Sequence, residues 1–128
     1  MKLLGFAAVA AVLVSSVAHA ETITCVFSEP FVKTVYDSSQ KTLAVPTRFD
    51  GQSVTHLRNV SQVSTGDKSF DLVSADGKVL QRLHLTFAGS DGMSEIVFPY
   101  DVRWNYGRGE LRGGCSSETL KAQSPNRP

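Results

Sequence analysis

Beyond its first twenty residues the sequence has no long apolar run, and its charge favours neither sign. Thirteen lysines and arginines stand against twelve aspartates and glutamates, and loss of Lys2 with an N-terminal leader would bring them into balance. No field of one sign would then steer a partner, which disfavours nucleic acid and anionic membrane as the main ligand. Without a second apolar stretch there is no candidate stop-transfer helix, so no membrane anchor is expected. Metal chemistry also lacks its residues. His56 and His84, the histidines past the leader, stand beside no cysteine, second histidine or carboxylate at ligand spacing, so neither a metal nor a cofactor is expected. A catalytic nucleophile is missing in the same sense. Ser94 lies in Asp91-Gly92-Met93-Ser94-Glu95 rather than in a Gly-x-Ser-x-Gly elbow. No segment past the leader carries a helical stripe.

The leader itself is distinctive. Lys2 precedes an apolar run from Leu3 to Val14, and Ala18-His19-Ala20 has the small-x-small form that signal peptidase cleaves. Residues 1–20 are therefore read as a signal peptide, with cleavage before Glu21. Cys25 lies five residues past that cut, whereas a lipid-anchored cysteine would be the first mature residue.

Two cysteines remain, Cys25 and Cys115. In an exported chain the default is that they pair. Strand parity agrees, since Cys25 shares a face with Ile23 and Phe27 and Cys115 shares one with Leu111. The remaining length suits one small domain over 21–115, in which a covalent bridge is useful.

Alternation of period two marks the strands. It places them at 22–27, 31–36, 42–45, 54–58, 70–74, 79–87, 96–104 and 110–115, with turns at Asp37-Ser38-Ser39-Gln40 and Ala75-Asp76-Gly77. Leu83, Leu85 and Phe87 are expected on one face, as are Ile96, Phe98, Tyr100, Val102 and Trp104. Pro99 cannot donate to a ladder, so it marks an edge or a bulge. Residues 59–69 are polar and read as a loop anchored by Val60 and Val63; the stretch 46–69 is the least patterned. The segment 116–128 is polar, contains Pro125 and Pro128, and reads as a disordered tail. The expected fold is all-β, a small antiparallel barrel or sandwich of seven to eight short strands closed by one disulfide. Its aromatic residues suffice to fill the interior, so a wide lipocalin-type cavity is not expected.

Arg103, Arg108 and Arg112 with Trp104 and Tyr106 superficially suggest a nucleic-acid surface. Parity separates them, because Trp104 faces the core when Arg103 faces out. The loop Gly89-Ser90-Asp91-Gly92-Met93-Ser94-Glu95 has the most unusual composition, with two acids and an apolar methionine between strong strands. Either it is a contact surface, or Asp91 and Ser94 bond backbone amides while Met93 folds back on the barrel.

Two clusters resemble a family of small exported bacterial proteins that carry Cys-x3-Glu-Pro-Phe early and Asp-Gly-Met-Ser, an aromatic-Pro pair and Gly-Cys later. Here they read Cys25-Val26-Phe27-Ser28-Glu29-Pro30-Phe31, then Asp91-Gly92-Met93-Ser94, Phe98-Pro99 and Gly114-Cys115. The family's glycine and tryptophan in the first cluster are absent. The resemblance implies a bacterial envelope location and Cys25–Cys115 pairing, and it implies no activity. A weaker similarity is to periplasmic inhibitors of C-type lysozyme, although their Ser-Gly loop motif is absent.

The expected role is therefore a non-enzymatic periplasmic or secreted binding protein whose partner is another envelope or extracellular protein. A hydrolase inhibitor of the lysozyme type is one form of this. The candidate contact loops are Glu29 and Pro30 together with Asp91, Gly92, Met93, Ser94 and Glu95. The alternative is a small-ligand-binding or sensing protein of the envelope.

Overall fold

The computed structural model describes residues 21–28, 31–47, 53–106 and 109–124. The expected leader thus lies outside the described residues. Among those described there is no helix, and nine antiparallel strands form one sheet: β1 (Thr22–Phe27), β2 (Val32–Asp37), β3 (Thr42–Pro46), β4 (Val54–Leu57), β5 (Ser61–Gly66), β6 (Ser69–Val73), β7 (Val79–Gly89), β8 (Phe98–Asn105) and β9 (Glu110–Ser117). The all-β expectation holds, with nine strands rather than seven or eight.

The spatial order is β4-β3-β2-β1-β9-β8-β7-β6-β5. Strands consecutive in sequence are neighbours within β1–β4 and within β5–β9, β4 and β5 stand at opposite edges, and pairing of β1 with β9 joins the two halves. The sheet curls strongly. Gln81 of β7 donates through Nε2 to Thr34 Oγ1 of β2 at 2.9 Å, although three strands stand between them in the sheet. The result is a half-barrel whose edges are β4 and β5.

Alternation places the core on the concave side. Ile23, Cys25, Phe27, Val32, Tyr36, Leu43, Phe70, Leu72, Leu83, Val102, Trp104 and Cys115 form one buried cluster with Val60. Phe27 and Trp104 stack with ring centroids 5.2 Å apart, and Trp104 lies 5.8 Å from Tyr106. These pairs fill the interior at the joint between the halves. Tyr36 Oη donates to the Val60 carbonyl at 2.7 Å, and burial pushes the phenol above its ordinary pKa. Val60 is thus the loop anchor expected.

The bridge joins directly opposed residues. Cys25 and Cys115 are register partners on β1 and β9, with a Cα–Cα distance of 4.0 Å, and both are buried. Neither described cysteine is free.

Several expectations are corrected. Residues 61–66 form the edge strand β5 instead of a loop, and Val63 is 45% exposed rather than an anchor. Opposite Pro99 the β7–β8 register shifts between Leu85 and Gly89, so the bulge anticipated from the proline is present. Its effect reaches further than parity foresaw. Phe87 adopts φ 55° and is 60% exposed, and Ile96 is exposed. Phe98 is buried on the opposite face from the core. A β-carbon on Gly113 would meet the Phe27 ring, whereas one on Gly114 would meet the Phe98 ring, and consecutive strand residues face opposite ways. The expected disordered tail is also displaced. β9 runs to Ser117, Ser117 N–H donates to the Leu120 carbonyl at 2.8 Å, and Gln123 forms a two-way bridge with Val97. Backbone pairing thus holds the start of this polar segment against the loop before β8.

Candidate functional site

The bulge opposite Pro99 turns the end of β7 and the start of β8 away from the barrel, so residues 90–97 form an arm over the outer surface. Phe98 fixes the base of the arm. It covers Gly114, where only a glycine leaves room for its ring. Close packing also fixes Gly89, where a β-carbon would stand 2.2 Å from the Tyr100 carbonyl oxygen. At the tip, Gly92 takes φ +83° and lies against Ser28, whose Oγ would be 2.7 Å from a β-carbon there. The arm therefore reaches the end of β1, beside the expected second loop. Glu29 and Pro30 themselves lie outside the described residues; Ser28 before them touches the arm, and Phe31 after them is 63% exposed.

Asp91 organises the turn. Its Oδ1 accepts the Met93 N–H at 2.9 Å and the Ser94 N–H at 2.7 Å, and its Oδ2 accepts the Ser94 hydroxyl at 2.8 Å. The backbone bonds from Ser94 and Met93 hold the carboxyl below its ordinary pKa. This matches the structural half of the loop expectation. Met93 departs from it, being 65% exposed instead of folded back. The arrangement presents an apolar side chain from a turn that its own acid keeps rigid. Met93 and Ile96 of the arm are exposed apolar residues, as is Phe87 near the end of β7, and Glu95 is exposed between the first two.

An acid so held is a poor proton donor at neutral pH. It should instead contribute to stability. Its folded pKa lies below the unfolded value, so the contribution is present above about pH 4 and is lost as pH falls through that value towards the folded pKa. Asp91→Asn should cost about 1 kcal/mol at pH 7 and progressively less below pH 4. Thermal unfolding of both proteins at pH 7 and pH 3 checks this; an unchanged difference would show that the charge is not the stabilising feature.

The remaining sequence candidates are separated. Arg103 is exposed and Trp104 buried, as parity required, and Arg108 lies outside the described residues. His56 and His84 are exposed on different strands. Among the described residues no group of three or more His, Cys, Asp and Glu is placed to hold a metal ion, and no helix is long and apolar enough to cross a membrane. Sequence reasoning found the loop but missed Phe87, because only the bulge brings it out.

Compared with known protein families, with curated proteins and with solved structures, the chain matches none.

Proposed function

We propose that this chain is a non-enzymatic binding module of the bacterial envelope, which engages another protein through the arm formed by residues 90–97. The observation that carries this reading is the exposure of Met93 at 65% on a turn clamped by three hydrogen bonds to Asp91. An exposed apolar side chain on a rigid loop loses little conformational freedom on docking. Left-handed backbone at Phe87 adds to the case, since bulky residues rarely adopt it and such strain concentrates at functional positions. The leader-like residues 1–20 and the buried disulfide both support an oxidising compartment, periplasmic or secreted. Inhibition of a hydrolase is one form of the role, because inhibitors use rigid loops on stapled scaffolds.

The test is crosslinking capture from periplasm with protein tagged after Pro128. Capture of a specific protein that is reduced tenfold or more by Met93→Lys is the expected outcome. A hydrolase among the captured proteins would support the inhibitor form. Capture that Met93→Lys leaves unchanged would refute the arm as the contact surface.

A further inference from the structure

We propose that the outer face of β6, β7 and β8 carries a second site, which binds the oxyanion group of a small hydroxylated ligand with Arg103 as its anchoring cation. The register builds this site. Asp71, Arg82, Arg103 and Arg112 are successive cross-strand partners on β6, β7, β8 and β9, and Ser69, His84 and Asp101 form the adjoining row. A cleft of about 450 Å³ lies over these rows, lined by Thr65, Ser69, Asp71, Arg82, His84, Asp101 and Arg103 together with Leu83. That volume falls within the range of small-molecule sites, but the lining is polar throughout its side chains apart from Leu83.

Three arginines opposed on neighbouring strands repel one another, since directly paired residues stand about 5 Å apart at Cβ. The outer two are drawn aside by acids. Arg82 Nε lies 3.9 Å from Asp71 and Arg112 Nε lies 4.0 Å from Glu110. Among the described residues no carboxylate stands within ion-pair distance of Arg103, whose register partners on both neighbouring strands are arginines. A carboxylate or phosphate relieves that repulsion and matches the planar fork of arginine with two parallel hydrogen bonds. The acids of the cleft limit the ligand further. With Asp71 engaged by Arg82 and Asp101 opposite His84, a polyanion is disfavoured, while Asp101, Ser69 and Thr65 are placed to bond hydroxyl groups. A sugar carrying one anionic group, a phosphate or a carboxylate, has this combination. The site lies on the sheet surface rather than inside the barrel and does not depend on the arm.

Titration of the intact protein with glucose 6-phosphate, glucuronate and glucose, followed through the arginine Nε–H resonances, provides the test. Saturable shifts at Arg103 with a charged sugar, weakened at least tenfold by Arg103→Ala and several-fold by Arg103→Lys, are expected. Saturation by one charged sugar alone assigns the oxyanion as phosphate or carboxylate. Arg103 is exposed, so its variants should fold normally. Equal binding of glucose, absence of saturation with both charged sugars, or affinity within twofold in Arg103→Ala would overturn the proposal.

Discussion

Replacing Cys25 and Cys115 together by alanine is expected to lower the unfolding free energy by about 4 to 5 kcal/mol. The bridge spans a sequence separation of 90, and the chain-entropy relation gives that magnitude for a loop of this length. Domains of this size have total stabilities of about 5–15 kcal/mol, so about a quarter of the margin or more would be lost. Position in the sheet puts this loss at the joint between its two halves. β1 and β9 join the meander β1 to β4 to the strands β5 to β8, and the bridge lies in the middle of that ladder, between Ile23↔Ser117 and Phe27↔Gly113. Both sulfurs are also core atoms, so truncation removes packing contacts beside Gln81 and Phe27. Urea unfolding of the double variant against the parent, under oxidising conditions, measures the loss. A change below about 1 kcal/mol would show that the β1–β9 ladder holds the halves together without the bridge.

The strands with one buried face were legible because they alternate. β1 begins and ends at the residues that alternation gave, and Trp104 and Cys115 face the core as parity required. β5 was not legible for the complementary reason. As an edge strand its residues are exposed on both faces apart from Ser61, so no periodic pattern marks it. Pro99 announced a bulge, but not its size. β7 carries Thr86, Phe87 and Ala88 opposite that one proline, which is why Phe87 turned out to solvent and Phe98 crossed to the outer face. The capping acid at Asp91 could be read from the spacing of Asp91 to Ser94, because short polar side chains bond amides two and three residues on. The arginine row could not, since it depends on the registers of three strand pairs.

The adjacent glycines of β9 offer the sharpest division between core and arm. Gly113→Ala should destabilise the protein by about 3 kcal/mol, at the upper end of ordinary overpacking. Its β-carbon would lie 2.1 Å from the Val26 carbonyl oxygen and 2.7 Å from the Phe27 ring. The first contact is backbone, so relief requires β1 to move away from β9 at Phe27↔Gly113, and that movement pulls on the disulfide two residues along. Alanine normally gains over glycine in a strand by about 0.5–1 kcal/mol through the unfolded chain, and here the clash outweighs that gain. Gly114→Ala meets a different neighbour. Its β-carbon would lie 2.6 Å from the Phe98 ring and 2.8 Å from the Phe98 β-carbon, so the substitution lifts the base of the arm from the outer face and leaves the core cluster in place. The two variants should therefore separate in their readouts. Thermal unfolding should fall most for Gly113→Ala, while partner capture through Met93 should weaken in folded Gly114→Ala. Equal stability of Gly113→Ala and the parent would mean that β1 and β9 are less closely packed than their register implies. Full capture by Gly114→Ala would mean that Phe98 does not position the arm.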